Sequence, residues 1–160
     1  MTYCDTLSKS YDELHGSEQL NKIKIINSSI IIGKNTKMLD VGCGTGISSQ
    51  INCDVVGIDP SIGMLKLNKN TKKIVGLAES LPFKNKPFDY VVSVTAVHNF
   101  KNIRKSLAEI KRVGRENFIF SVLRKAKKFS YIGKLIEKSF KINKIVEEEK
   151  DIIFFCQNKL

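Results

Sequence analysis

The sequence has few of the residues that mark fibrous or membrane-embedded proteins. Only three of its 160 residues are proline and ten are glycine, without a repeating pattern, which excludes a collagen-like chain. Its apolar runs, such as those at 30–32 and 152–156, have the length of strands and fall far short of the roughly 20 residues that a membrane-spanning helix needs. We therefore expect no membrane insertion.

Cysteine is too sparse and too scattered to hold the chain together. The four cysteines contain no Cys-x-x-Cys pair and lie far along the chain from both histidines, so neither a disulfide framework nor a zinc cluster is expected. No basic stretch followed by an apolar one opens the sequence. We therefore predict a cytoplasmic protein without a secretory signal.

The sequence does contain the composition of a globular protein, with 42% hydrophobic and 27% charged residues. A chain of this length is large enough to bury one hydrophobic core. We expect a single domain over 1–160, in which a helical segment over 1–33 precedes a core over 36–160.

Strand-like and helix-like segments alternate in that core, which is typical of an α/β protein. Strands are predicted at 36–41, 55–59, 73–77, 88–94 and 117–123, and helices at 8–32, 61–68, 102–113 and 131–140. Ser61 is the expected N-cap of the second helix, and Gly114 is a suitable residue to follow the end of the third. Two last strands, at 142–147 and 152–156, flank a short charged turn and predict an antiparallel hairpin. The expected fold is a doubly wound, Rossmann-like, mostly parallel sheet with a C-terminal antiparallel hairpin, in a single minimal domain.

The most informative local pattern is the glycine-rich stretch Gly42-Cys43-Gly44-Thr45-Gly46, which directly follows the strand ending in Leu39-Asp40-Val41. Glycines let the backbone turn tightly and approach a ligand without an intervening Cβ. The free N–H groups at the start of the next helical turn favour an electron-rich ligand group. Because ligands bind at the carboxyl ends of strands in such sheets, this stretch predicts a ligand site.

Two further features narrow the choice of ligand. Asp59 ends the next strand, where a carboxylate accepts hydrogen bonds from the hydroxyls of an adenosine ribose; the alternative is that Asp59 only caps the helix that follows. A dinucleotide fingerprint, Gly-x-Gly-x-x-Gly, would need glycine at position 47, and this chain has Ile47. The sequence therefore disfavours a nicotinamide-dependent oxidoreductase.

Together these motifs resemble the class I S-adenosylmethionine-dependent methyltransferases, of the small ubiquinone/menaquinone-biosynthesis-like type. The resemblance extends along nearly the whole chain through further stretches. They are Tyr11-Asp12-Glu13-Leu14, Gly57-Ile58-Asp59-Pro60-Ser61, Gly76–Phe83, Phe88–Ser93 and Val97-His98-Asn99-Phe100. The resemblance implies a Rossmann-like fold, S-adenosyl-L-methionine as cofactor, and in-line transfer of its methyl group to an acceptor.

The resemblance also implies a role for individual residues. Asp40 would hold the ammonium group of the cofactor, Gly42 and Gly44 would pack against its methionine part, and Asp59 would hold its ribose. The other cofactor positions are Tyr11 over the cofactor, Cys43 in the loop, Pro60 and Ser61 at the strand end that binds the ribose, Met64, Leu77, Ala78 and Glu79 around the adenine, and Ser93 and Val94 near the sulfonium.

His98 is the side chain that the resemblance nominates as a catalytic base. Plainer alternatives exist: His98 as an ordinary polar residue, Tyr11 as a core aromatic, and Cys43 as a small side chain tolerated in the loop. Many family members have an aspartate where this chain has Leu77, with Glu79 as the candidate replacement. A cofactor-binding but inactive scaffold or partner subunit is therefore the alternative to an active methyltransferase.

Charge is distributed unevenly along the chain. Residues 1–100 carry 11 basic and 9 acidic side chains, whereas residues 101–160 carry 16 and 7. A basic last third fits RNA or another macromolecule as methyl acceptor, although a lysine-rich composition from an AT-rich coding sequence would give the same asymmetry. The His98 stretch and this basic third loosely resemble tRNA wobble-uridine methyltransferases, which implies a small zinc-binding activator as a partner.

Overall fold

Seven strands form one sheet in the computed structural model, which describes the backbone of residues 3–160 and the side chains of residues 16–160. The strands are β1 (Lys37–Val41), β2 (Asp54–Asp59), β3 (Lys73–Val75), β4 (Phe88–Val94), β5 (Gly114–Leu123), β6 (Phe140–Glu147) and β7 (Asp151–Asn158). The helices are α1 (Tyr3–Ser29), α2 (Ile62–Leu67), α3 (Ile103–Val113) and α4 (Phe129–Ser139), with 3-10 turns at Ile47–Gln50 and Val97–Asn99.

The strand order is β3-β2-β1-β4-β5-β7-β6. The first five strands in this order run parallel to one another. β7 is antiparallel to both β5 and β6. The chain therefore winds outward from β1 in both directions and closes with a hairpin. The predicted doubly wound, mostly parallel sheet and its antiparallel hairpin are confirmed.

Side chains alternate between two cores, one on each face of the sheet, as the twofold period of a strand requires. On β4, Val91 belongs to the core covered by α3 and α4, and Val92 belongs to the core on the opposite face. α1 contributes Ile23 and Ile26 to that second core. Among the residues that the structure describes, no helix is both long and apolar enough to cross a membrane.

Short polar side chains begin two of the helices. Ser61 Oγ accepts a hydrogen bond of 3.2 Å from Met64 N at the start of α2, as predicted. Asn102 Oδ1 accepts one of 3.0 Å from Lys105 N at the start of α3. These caps satisfy backbone donors that have no partner within the helix.

Gly114 directly follows the end of α3, as predicted, and donates its N–H to Ile110 O, after which the chain passes straight into β5. Gly114 has an ordinary extended conformation, with φ −88°, and is the first residue of that strand. A Cβ at this position would lie 2.9 Å from Val91 Cγ2 and closer still to the ring of Phe118. Glycine is needed here because a side chain would meet the ring of Phe118 in the same strand and Val91 in the neighbouring strand β4.

Candidate functional site

A cavity of about 350 Å³ lies at the carboxyl ends of β1, β2 and β4. This is where the chain leaves β1 toward β2 on one side and β4 on the other, the position at which open α/β sheets bind ligands. Asp40, Asp59 and Val94 line the cavity from these strands, and Gln19 and Ile23 line it from α1.

The glycine-rich loop forms one wall of the cavity. Gly42 and Gly44 have left-handed φ values of +83° and +52°, which favour glycine. A Cβ on Gly42 would lie 2.5 Å from Ala96 Cβ, whereas one on Gly44 would meet nothing closer than Met64 Sδ at 3.7 Å. Gly42 N donates to Ile58 O at 2.8 Å, which ties the loop to β2. The loop is thus held by β2, and Gly44 lines the cavity, where an added Cβ would be at ordinary van der Waals distance from Met64.

Asp40 presents a buried carboxylate oxygen without a partner. The residue is 2% exposed, and Ser48 Oγ donates a hydrogen bond to its Oδ2. Among the described residues, none donates to Oδ1. Burial raises the pKa of Asp40 from 3.8 to about 7; the nearby charge of Asp59 also raises it, while the Ser48 hydrogen bond opposes the shift. A buried acceptor is stabilised by a donor, so this cavity fits a ligand that brings a cationic donor, such as an ammonium group.

Asp59 is buried and held by two backbone donors. Its Oδ2 accepts from Gly44 N at 2.9 Å and its Oδ1 accepts from Ser61 N at 2.8 Å. The carboxylate therefore joins the glycine loop to the start of α2, and it also lines the cavity. Asp59 therefore anchors the start of α2 and also lies where it could accept hydrogen bonds from ligand hydroxyls.

The segment after β3 forms the side of the cavity where the resemblance places adenine. Leu77 is 46% exposed and Ala78 is buried, and both line the cavity together with Glu79. Glu79 Oε1 accepts a hydrogen bond of 3.0 Å from Asn102 N. Glu79 therefore also binds the N-terminal end of α3.

An ion pair on α3 supports this segment from behind. Arg112 donates to Leu81 O at 2.9 Å and to Phe83 O at 2.7 Å, and Glu109 accepts from Leu81 N at 2.8 Å. Hydrogen bonding to Arg112 lowers the pKa of Glu109. In the sequence these two residues form only an i,i+3 pair of opposite charge on a helix, a pattern that usually marks a solvated face. Their positioning role was therefore missed.

The end of β4 turns sharply at Thr95. This residue has φ +52°, which costs a β-branched side chain on the order of 1–3 kcal/mol. Thr95 lines the cavity, and its hydroxyl lies between Lys22 Nζ at 3.0 Å and Asp151 Oδ2 at 2.7 Å. No sequence motif pointed to this cluster, because its members come from three distant segments.

Most of the residues nominated from sequence meet in the cavity. Twelve line it: Asp40, Gly42, Cys43, Gly44, Asp59, Pro60, Ser61, Met64, Leu77, Ala78, Glu79 and Val94. Ser93 does not line it; this residue is fully buried, and its Oγ donates to Val41 O at 2.8 Å. The side chain of Tyr11 lies outside the described residues, so its predicted role stays a prediction.

His98 lies beside the cavity and is not among the residues that line it. Its Nδ1 is buried and has no hydrogen-bond partner among the described residues. Burial lowers the pKa of His98 below its ordinary value. The charge of Asp151 raises this pKa, and the charge of Lys22 lowers it further. The imidazole is therefore neutral near pH 7, and its role as a base stays a prediction.

Although five of them lie in the stretches that carry the resemblance, twelve lining residues were not nominated individually from the sequence. They are Gln19, Ile23, Thr45, Ile47, Ser48, Ile58, Gly76, Thr95, Ala96, Asn99, Phe100 and Lys101. Many of these residues directly follow a strand or the glycine loop, and this position in the sequence could have indicated that they line the cavity. The thiol of Cys43 has a raised pKa because it is buried, which makes it a poor nucleophile and fits its interpretation as a small loop residue.

The fold and the site define a class: Rossmann-like α/β proteins with a cavity between a glycine loop and an acidic strand end. Residues 39–122, more than half of the chain, match the family described as a methyltransferase domain. The chain belongs to this methyltransferase domain family.

Relatives in sequence agree with the family. An uncharacterized protein of Methanocaldococcus jannaschii is 43% identical over 129 residues, which cover 75% of this chain and 50% of that protein. A demethylmenaquinone methyltransferase of Staphylococcus aureus is 33% identical over 125 residues, which cover 67% of this chain and 52% of that protein. The chain spans about half the length of these relatives. The resemblance to menaquinone-biosynthesis-like methyltransferases is confirmed.

Solved structures share the fold at low identity. A chain from the complex between the Haloferax volcanii Trm112 methyltransferase activator and a methyltransferase has a TM-score of 0.82 at 12% identity, covering 100% of this chain and 99% of that one. A SAM-dependent methyltransferase of Aquifex aeolicus has a TM-score of 0.79 at 15% identity, covering 99% and 100%. The same architecture therefore extends over the full length of both neighbours.

Proposed function

We propose that this domain binds S-adenosylmethionine in the cavity and catalyses transfer of its methyl group to an acceptor. The observation that carries the proposal is the buried Oδ1 of Asp40, to which no side chain or backbone group of the described part of the chain donates; Asp40 lines the cavity between the glycine loop and Asp59. Family membership supplies the reaction type, and the side chains support the choice of cofactor.

Each wall contributes to binding and alignment. The cofactor supplies a methyl group activated by a positively charged sulfur. Asp40 binds the ammonium group, the side of Gly44 that lines the cavity admits the methionine part, and Asp59 orients the ribose hydroxyls. Val94 and Thr95 border the region where the acceptor meets the methyl group. Alignment and exclusion of water are the main contributions that a protein makes to such a displacement.

A general base is needed only when the acceptor atom is a hydroxyl or an acidic carbon. His98 is the candidate, because its lowered pKa keeps the imidazole neutral and able to accept a proton. The alternative of a cofactor-binding scaffold without activity is favoured by one observation: exposed Leu77 offers the adenine amino group no carboxylate.

Binding and transfer are tested separately. Calorimetric titration with S-adenosylmethionine, S-adenosylhomocysteine and NAD should show binding of the first two only, and Asp40→Asn should weaken binding of S-adenosylmethionine at least tenfold. Asp54→Asn is the matched control, since Asp54 pairs with Lys72 at the surface. Absence of binding by the unaltered protein would sink the proposal. Binding without transfer of labelled methyl into any fraction of a cell extract would favour the scaffold.

We further propose an anionic acceptor, RNA in the first instance. Two segments, 97–108 after β4 and 124–136 after β5, contain no acidic residue, and the first of them lines the cavity with Asn99, Phe100 and Lys101. They carry exposed basic side chains at the carboxyl edge of the sheet: Lys101, Arg104, Lys105, Arg124, Lys125, Lys127, Lys128 and Lys134. A positively charged cluster attracts a phosphate backbone. Binding releases counterions from the RNA, and because this release is less favourable at high salt, the affinity for RNA falls as the salt concentration rises.

The RNA hypothesis predicts a strong dependence of binding on salt. Affinity for total tRNA should fall steeply as salt rises, and Lys127→Glu combined with Lys128→Glu should weaken it. The control with the same charge change is Lys34→Glu combined with Lys84→Glu, two exposed lysines outside the two basic segments. Equal losses in both variants, or affinity that is insensitive to salt, would argue for a different acceptor.

A small activator subunit is the partner that we propose. One solved neighbour belongs to a complex with the Trm112 methyltransferase activator. In this chain, exposed apolar side chains gather at the β3 edge of the sheet, where one side of the strand is unpaired. They are Ile62, Leu67, Val75 and Leu77. Apolar exposure next to an open strand edge is typical of a surface that pairs with a partner.

The activator hypothesis is tested by co-expression with Haloferax volcanii Trm112. The two proteins should co-purify, and Val75→Lys should abolish the complex. Ile145→Lys is the matched control, because Ile145 is equally exposed on β6 at the opposite edge of the sheet: 54% against 57% for Val75. Failure to co-purify, or a complex that Val75→Lys leaves intact, would contradict this surface.

A further inference from the structure

We infer that the buried ion pair between Lys22 and Asp151 is a positioning device for the cavity. It fixes α1 and the corner after β4 relative to each other, although neither of its members lines the cavity. The inference rests on the proposed function, since the effect of the pair is expressed as affinity for S-adenosylmethionine.

The pair forms the centre of a compact polar cluster. Lys22 Nζ lies 3.1 Å from Asp151 Oδ1, and the exposed fractions of the two side chains are 2% and 0%. Asp151 Oδ2 accepts hydrogen bonds from Thr95 Oγ1 at 2.7 Å and from Ser121 Oγ at 2.6 Å. Lys22 also donates to Thr95 Oγ1 at 3.0 Å. The cluster thus joins α1, the end of β4, β5 and β7.

Both sides of this cluster continue into the cavity. On α1, Gln19 and Ile23 lie three residues before and one residue after Lys22, and both line the cavity. On the other side, Thr95 lines the cavity and is held in a left-handed conformation. Thr95 N donates to Ser121 O at 2.8 Å, so backbone and hydroxyl are both held. A shift of the ion pair would therefore move two walls at once.

Stability alone does not account for a buried pair in this place. Two charges removed from water are often no better than apolar side chains of similar volume, whereas the loss of one partner leaves a costly unpaired charge. A second pair, Lys150 with Glu18 at 2.5 Å, joins α1 to the turn before β7 at a more exposed position. Such exposed pairs contribute little. Of these two ion pairs, the buried pair of Lys22 and Asp151 is the one that contacts a cavity-lining residue, Thr95.

The test removes both charges at once, so that no unpaired charge remains in the core. The double variant Lys22→Met with Asp151→Asn is expected to unfold cooperatively while its Kd for S-adenosylmethionine rises at least tenfold. Lys150→Met is the matched control and should bind within twofold of the unaltered protein. A double variant that also binds within twofold, or a control that loses as much, would overturn the inference.

A second measurement uses the unaltered, ligand-free protein and needs no variant. Because Lys22 and Thr95 share one cluster, the amides of 22–26 and the amide of Thr95 should open together, with hydrogen-exchange protection factors within threefold of each other. Separate opening, with protection differing by more than tenfold, would also overturn the inference. Failure of the proposed function would instead appear as absence of S-adenosylmethionine binding by the unaltered protein, with this exchange pattern preserved.

Discussion

Replacing Asp40 with asparagine should change both the stability of the protein and its dependence on pH. Burial raises the pKa of this carboxyl from 3.8 to about 7, so the folded state holds the proton more tightly than the unfolded state does. The stabilisation that the proton provides is complete below pH 3.8 and is lost as the pH rises through about 7. Asparagine carries no such charge and removes this contribution.

The magnitude follows from the size of the shift. One pKa unit corresponds to about 1.4 kcal/mol, so the full effect is about 4 kcal/mol, of which about 3 kcal/mol falls between pH 5 and pH 8. The free energy of unfolding of the unaltered protein, minus that of Asp40→Asn, should fall by this amount across that window. Urea unfolding at pH 5, 6, 7 and 8 measures both values.

Cofactor affinity supplies an independent measurement. An ammonium group favours the ionised carboxylate, so the affinity of the unaltered protein for S-adenosylmethionine should increase about fivefold from pH 6 to pH 7. Asp40→Asn should bind weakly and without this increase, and Asp54→Asn should behave as the unaltered protein does. A stability difference that stays constant from pH 5 to pH 8 would show that Asp40 is ionised throughout, which refutes the reasoning.

Four more outcomes are expected. Gly44→Ala should lower the free energy of unfolding by about 1 kcal/mol, because its φ is +52°, and should weaken cofactor binding in calorimetry. Gly16→Ala, with nothing within 4 Å of the added methyl, should stabilise α1 by roughly 0.5–1 kcal/mol. Arg112→Met should cost about 1–3 kcal/mol in urea unfolding and also weaken binding, whereas Arg115→Met, which removes an exposed pair, should cost less than about 1 kcal/mol. Cys43 should react with a thiol reagent only on unfolding, because burial raises its pKa; rapid labelling of the folded protein would contradict this.

Features that depend on neighbouring residues could be predicted from the sequence. The strand, glycine loop and acidic strand end at 39–59 are local patterns, and the Ser61 cap is another. The position of Gly114 after α3 could also be predicted, but its close packing against Phe118 and Val91 depends on the strands and not on the helix it follows.

Contacts between distant segments could not be predicted. Thr95 is 73 residues from Lys22 and 56 from Asp151, and no periodicity or motif links such positions. A lysine at position 22 is expected to face solvent in a sequence this rich in lysine. Lys22 is buried because α1 packs beside the start of β7, where its ammonium group pairs with Asp151.

The position of Asp151 in the hairpin has a consequence for the order in which the protein assembles during synthesis. β1 and β2, which carry the glycine loop and Asp59, emerge from the ribosome early. They can pair with each other, and β1 can then pair with β4. α1 emerges before all of them, but its buried lysine has no anionic partner until β7 has been made. We therefore expect the cofactor site to close late in translation, after the rest of the parallel sheet has formed.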